Sequence, residues 1–318
     1  KTSGAAGFFA TAAKTVGLVT FYYTFSIGLT FYNKWMFKRF RFPLMTTCIH
    51  FITIFVLSAL LRTVFGSCRK TTTTLEWGTY IKKVFLTGVA SAMDIGLSNW
   101  SFVFITVSLY TMVKSSAIVF ILGFSVLLRL EPPRFSIIFV VLLISGGLFM
   151  FVFESTQFNL EGFVLVLSAS FIGGIRWTLS QILTQKQELG CLGNPIDLLY
   201  HLQPTMFIAL FPLALSQEGN VSSSCTLGGA TETRILNVFV SIIVGGAIAF
   251  MLSFSEYLLL SNTSSLTLSV SGILKEIVTL LLATSYNGDQ LTPLNWGGFA
   301  LCIFGICLHV LLKLSRGE

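Results

Sequence analysis

The sequence predicts an all-α polytopic membrane protein with ten transmembrane helices in two inverted five-helix repeats, and three observations carry that prediction. Of 318 residues, 54% are hydrophobic and 10% charged, with a mean hydropathy of +0.83; soluble domains carry about 25% charged residues. The apolar residues fall in runs of about 20, the length a helix needs to cross about 30 Å of hydrocarbon. The two halves of the chain repeat one another with opposite polarity in the membrane. No soluble core absorbs that many such runs, and the net charge of +7 marks the cytosolic ends of spans rather than a nucleic-acid partner.

The runs cover 18–35, 43–65, 84–105, 108–128, 135–153, 162–183, 196–215, 235–259, 265–283 and 294–312. Connections are short, the longest being 66–83 and 216–234, which leaves no room for an extramembrane domain. Arg62, Arg69, Lys70, Lys82 and Lys83 border the second connection, Arg129 and Arg134 the fourth, Lys186 the sixth, and Lys313 and Arg316 the C-terminus. All lie on one side. The other side holds Lys34, Lys38, Arg39 and Arg41 after the first span, then Glu154, Glu161, Glu218, Glu232 and Asp289 with Arg234. The excess of Lys and Arg on the first side predicts that both termini are cytosolic. The basic group after the first span opposes the rule; it reads as a cationic rim, unless the first hairpin is arranged the other way.

The doubling is read from two stretches, LLRLEPPRFSIIFVVLLISGGLFMF and TSYNGDQLTPLNWGGFALCIFGICLHV. Glu131 aligns with Asp289, and Gly147 aligns with Gly305 at the same spacing. With five spans in 1–155 and five in 156–318, the second copy enters the membrane in the opposite sense, and the two copies make one integrated domain.

Charge inside the spans carries the functional reading. The fourth span, SLYTMVKSSAIVFILGFSVLL, sets Ser108, Thr111, Lys114 and Ser115 on one helical face, with Tyr110 one turn above. A lysine near a helix centre costs about 2.5–3.5 kcal/mol on insertion scales, so it faces a polar cavity or snorkels to the headgroups. The ninth span, the repeat mate of the fourth, carries Lys275 at a matching position. Two cations at similar depth make an anion site, and Arg176 on the sixth span adds a planar fork suited to phosphate. Asp94, Glu256 and Glu276 are the intramembrane acids expected to balance these cations when the site is empty.

The run GLSNWSFVFITVSLYTMVKSS resembles the Asn-x-Ser, Val-Ser, Val-Lys-Ser pattern of the triose-phosphate translocator and nucleotide-sugar transporter family, within the drug/metabolite transporters. FYNKW, FIGGIRWTLSQ, NPIDLLYHLQP and the ninth-span lysine fit the same family, and its GDP-fucose transporter branch most closely. The resemblance implies ten helices in two inverted repeats and antiport by alternating access, a nucleotide sugar exchanging for a nucleoside monophosphate in Golgi or ER–Golgi membranes. It implies that Lys114, Lys275 and Arg176 grip phosphate; Asn99, Tyr110, Thr111 and Ser115 are the further candidates for substrate contact. Two departures, Ala117 and Ile118 where many members have a proline and Glu276 where the translocators have a second lysine, favour a nucleotide sugar over simple phosphate or triose phosphate. The expected partners are nucleotide sugar, nucleoside monophosphate, the lipid bilayer and a second copy of the chain; no cofactor and no nucleic acid is expected.

Weaker features complete the reading. Tyr200, His201 and Gln203 in NPIDLLYHLQP are candidates to meet a sugar or base, whereas His50 and His309 read as packing residues. Among sequons, Asn99 lies in a span and Asn262 on the cytosolic side, which leaves Asn220 in a lumenal loop as the candidate glycosylation site. The six cysteines, Cys48, Cys68, Cys191, Cys225, Cys302 and Cys307, show neither disulfide nor metal-ligand spacing. The first residue is Lys1 rather than Met, which reads as a segment whose targeting signals lie elsewhere. An enzyme would need a nucleophile with its base, or a metal cluster, and the sequence carries neither HExxH nor Gly-x-Ser-x-Gly. A non-transporting membrane regulator of glycosylation, or a sugar-phosphate/phosphate exchanger, remains the alternative to a nucleotide-sugar antiporter.

Overall fold

A computed structural model describes residues 2–66, 78, 80–127, 135–153, 158–185, 194–226, 232–262, 265–286 and 291–314. Among them there is no strand. The helices are α1 (Thr2–Arg39), α2 (Pro43–Gly66), α3 (Leu86–Ser101, entered through a π-helical turn, Tyr80–Phe85), α4 (Val107–Ser115), α5 (Ala117–Leu127) and α6 (Phe135–Phe153) in the first half. The second half holds α7 (Leu160–Gln185), α8 (Pro195–Thr226), α9 (Glu232–Asn262), α10 (Ser265–Tyr286) and α11 (Pro293–Leu314).

These helices are apolar on both faces because the inner face meets other helices and the outer face meets lipid. On α2, Phe51 and Ile54 are buried while Ile52, Val56 and Leu60, spaced by four, are exposed. Among the described residues, five stretches are able to cross a membrane by length and composition: Pro43–Val64, Val107–Phe124, Leu160–Ser180, Pro195–Gly219 and Leu236–Leu259. The chain is therefore an all-helical membrane protein. The aligned Glu131 and Asp289, together with Arg69, Lys70, Arg129, Arg134, Glu154, Lys186, Arg316, Cys68 and Cys191, lie outside the described residues.

Helices meet closely where side chains are small. A methyl at Gly147 of α6 would lie 2.5 Å from the Gly298 carbonyl oxygen of α11, so only a glycine allows that approach. Asn295 ties the same pair together: it forms a reciprocal cap with Thr292 at the start of α11 and donates to the Phe151 carbonyl of α6 at 2.6 Å.

The structure corrects the sequence reading at four places. The fourth span is two helices, broken at Ser116. The Val113 carbonyl accepts the Ser116 N–H at 3.1 Å, the Ser116 hydroxyl at 2.6 Å and the Ser170 hydroxyl at 3.3 Å, so the helical bond pattern is interrupted just beyond Lys114. The third helix ends at Ser101, four residues early, because Phe102, Val103 and Phe104 close i−3 turns and Thr106 caps α4 through the Leu109 N–H.

Asn220 lies within the helical backbone of α8, which runs on to Thr226, not in a loop. Lys34 is a structural cation rather than part of a rim: its Nζ donates to the Phe102 and Ile105 carbonyls at 2.7 and 2.5 Å, at the negative end of α3. Lys38, Arg39 and Arg41 remain exposed. At the same end of the bundle the Glu218 carboxylate accepts the Leu44 and Met45 N–H groups at 2.8 Å each, the complementary contact to the positive end of α2.

Candidate functional site

A cavity of about 440 Å3 opens between the helices and gathers residues from α1 to α5 and from α7 to α11. Its size falls in the range of small-molecule sites, about 300–1,000 Å3. Lys114 from α4, Arg176 from α7 and Lys275 from α10 all line it, and so do Asp94 from α3, Glu256 from α9 and Glu276 from α10. Three cations thus face three acids, a formally neutral wall.

The charges are not evenly paired. Asp94, only 2% exposed, is shared: one carboxylate oxygen takes the Lys114 ammonium and the other the Arg176 Nε at 2.9 Å. Lys114 also donates to the Ser98 hydroxyl at 3.0 Å. Arg176 reaches Glu256 through Nη1 at 3.3 Å and lies over the Trp177 ring at 4.7 Å. Gly173 makes this possible locally, since a methyl there would lie 3.2 Å from the Asp94 carboxylate.

Lys275 differs from the other two. Its Nζ lies 5.9 Å from the centroid of the Tyr22 ring, and it makes no ion pair among the described residues. Glu276, next to it on α10, has one carboxylate oxygen without a hydrogen-bond partner among the described residues. The Lys114 ammonium is partly exposed to the cavity, at 24% for its side chain. A cation placed at the C-terminal end of α4 sits where the helix dipole favours it, and the break at Ser116 fixes that end.

Asn99, Tyr110, Thr111 and Gln203 line the same cavity. Ser115 is buried beside it, its hydroxyl donating to the Thr111 carbonyl at 2.9 Å. Tyr200 and His201 lie away from it. Tyr200 stacks on Phe55 at 5.0 Å beneath the Arg62 guanidinium at 4.6 Å, and the His201 carbonyl accepts the Tyr80 hydroxyl at 3.1 Å. Arg62 meets Asp197 at 3.7 Å, so this group forms a polar contact between α2 and the start of α8.

Sequence reasoning passed over Tyr22, Asn33 and Trp177, all of which line the cavity. The signal for Asn33 was available: it is a polar residue within FYNKW, 3% exposed, where a lipid-facing position would be apolar.

Residues 13–310 match the Triose-phosphate Transporter family. The chain is 34% identical over 307 residues to an Arabidopsis thaliana protein named "Probable sugar phosphate/phosphate translocator", covering 95% of this chain and 74% of that protein. It is 27% identical over 362 residues to a Saccharomyces cerevisiae protein bearing the name of a nucleotide-sugar transporter, covering 91% of this chain and 82% of that protein. A second Arabidopsis thaliana sugar phosphate/phosphate translocator, by name, is 29% identical, covering 98% and 92% of the two chains.

Proposed function

Because the chain belongs to the Triose-phosphate Transporter family and is a solute translocator of the membrane, we propose that it is an antiporter. Its substrate is a nucleotide sugar of the GDP-fucose kind, carried into the lumen of the Golgi or the ER–Golgi intermediate compartment in exchange for a nucleoside monophosphate. The observation that carries this reading is the cation set: Lys114, Arg176 and Lys275 on three elements face one cavity, and Lys275 has no paired acid among the described residues. Phosphate oxygens meet Lys275 first. They then compete with Asp94 for Lys114 and Arg176, which releases the carboxylate that neutralises the empty site.

The same reading assigns ten spans in two inverted repeats, 1–155 and 156–318, α4 and α5 together making the fourth span. The packing of the helices supports it. Exchanging α1 with α7, α2 with α8, α3 with α9, α4–α5 with α10 and α6 with α11 turns the α1–α9 contact into α7–α3 and the α2–α9 contact into α8–α3. It also leaves the α2–α8, α4–α10 and α6–α11 contacts in place, and all these pairs touch. Alternating access is then a rocking of one repeat against the other around the cavity. A second copy of the chain completes the assembly.

Orientation has its own test. With both termini cytosolic, a cysteine introduced at Thr72 reacts with impermeant maleimide from the cytosol, and one at Ser223 reacts only after the lumen is opened. The reverse pattern overturns the orientation and the count of Lys and Arg behind it.

The relatives named as sugar phosphate/phosphate translocators support a second reading, exchange of a sugar phosphate for inorganic phosphate. Purified protein in liposomes loaded with either nucleoside monophosphate or inorganic phosphate separates the two. Uptake of labelled nucleotide sugar driven by the nucleotide is expected. Uptake of sugar phosphate driven by phosphate alone would establish the second reading, and no uptake under any loading would remove both.

A further inference from the structure

Among the described residues, the cavity wall holds buried side-chain oxygens without a hydrogen-bond partner, those of Asn33 and Gln203 among them, and one of these is held in a fixed orientation. Asn33, 3% exposed, donates through Nδ2 to the Asn99 Oδ1 at 3.3 Å. Asn99 in turn donates through Nδ2 to the Thr47 hydroxyl at 2.9 Å, and that hydroxyl donates to the Pro43 carbonyl at 2.6 Å. The direction of this relay is forced from its far end. A carbonyl only accepts, so the Thr47 proton goes to Pro43 and Thr47 accepts from Asn99. The Asn99 oxygen then faces Asn33, whose own oxygen is turned away from the relay. Asn33 Oδ1 has no hydrogen-bond partner among the described residues, and both asparagines and Thr47 line the cavity.

Burying an acceptor without a partner is unfavourable, and native proteins rarely leave one so. An amide oxygen with its dipole set in this way repels phosphate and attracts a neutral donor. Gln203 Oε1, also 3% exposed and in the wall, has no hydrogen-bond partner among the described residues either. The cavity therefore has two chemistries: cations on α4, α7 and α10, and amide oxygens contributed by α1 and α8, that of Asn33 held in orientation by the relay.

We propose that Asn33 Oδ1 accepts a hydrogen bond from a neutral donor on the transported molecule while its phosphate lies on the cations, so that Asn33 reads the part of the substrate that is not phosphate. This rests on the antiporter reading above. A sugar hydroxyl and the amino group of a base are both such donors. Asn99 and Thr47 are positioning residues, which hold the Asn33 amide the right way round.

Ligand-dependent thermal stabilisation of the purified protein tests it with matched pairs. Nucleotide sugars are compared with their own nucleoside diphosphates, glucose 6-phosphate with inorganic phosphate, and GMP with IMP, which lacks the base amino group. Wild type is expected to prefer the donor-bearing member of at least one pair. Asn33→Leu should remove that preference, about tenfold in apparent affinity for one such hydrogen bond, while stabilisation by inorganic phosphate persists. Loss in the sugar pairs assigns a hydroxyl, and loss between GMP and IMP assigns the base amino group. Thr47→Val should weaken the same preference and Thr47→Ser retain it, which keeps the test open if Asn33→Leu fails to fold. A preference that survives in a folded Asn33→Leu or Thr47→Val protein, or is absent from wild type, overturns the assignment of Asn33 alone. Failure of every phosphorylated ligand to stabilise wild type removes the antiporter reading and this inference with it.

Discussion

Lys275→Ala abolishes exchange in reconstituted liposomes while the purified protein keeps its thermal stability. Lys275 makes no ion pair among the described residues and lies beside the Tyr22 ring, so its removal breaks no ion pair described in the empty site. In the loaded site it removes a charge from phosphate in a partly dehydrated setting. Loss of one partner of such a pair costs about 2–5 kcal/mol, or at least about a hundredfold in transport at the middle of that range. Lys114→Ala abolishes exchange as well, but it also strips Asp94 of one of its two partners, so it lowers stability where Lys275→Ala does not. Arginine at either position restores activity only in part, since a planar fork does not place its charge where an ammonium does. Wild-type exchange by either alanine variant would remove the phosphate site.

Asp94→Asn produces the largest change in stability. The carboxylate is buried and holds two cations at once, and an amide of the same shape leaves Lys114 and Arg176 facing one another with Glu256 alone in support. Removing one partner of a buried ion pair costs about 3–5 kcal/mol because the other charge is left without compensation. The variant is therefore expected to unfold well below wild type when empty, and to regain most of the difference on adding a nucleoside monophosphate or inorganic phosphate, whose oxygens replace the missing carboxylate. The measurement is the thermal midpoint with and without anion. A variant as stable as wild type without ligand would mean that Asp94 is not the counter-ion of the empty site.

Much of this was legible in the chain because hydrocarbon enforces a simple rule. Lys114, Arg176 and Lys275 stood out as cations inside apolar runs, and the structure brings all three to one cavity. The break at Ser116 was not legible. Hydropathy counts serine as a mild interruption, whereas the outcome depends on its hydroxyl and N–H both turning to the Val113 carbonyl.

Helical geometry accounts for another difference. Gln203 lies in the cavity wall, but His201 is set about 200° round α8 from it, and Tyr200 lies a turn nearer the helix start under Arg62. Adjacency in sequence had grouped residues that a helix separates. Lys34 was misread for the opposite reason: its charge was visible, but its partners are carbonyls some 70 positions later in the chain, exposed only because α3 ends at Ser101.

If the empty site is neutralised by its own acids and a phosphate-bearing anion takes their place, the return step favours a loaded carrier. The measurement that tests this most directly is the initial rate of labelled nucleotide-sugar uptake into liposomes preloaded with nucleoside monophosphate, against the same liposomes left empty. Preloading should raise the rate at least about tenfold, the factor that 1.4 kcal/mol of barrier relief supplies. Glu276→Gln should leave the exchange rate intact, because that acid makes no ion pair with the three cations among the described residues. Equal rates into loaded and empty liposomes would show a uniporter, and would contradict the exchange of Asp94 for phosphate at Lys114 and Arg176.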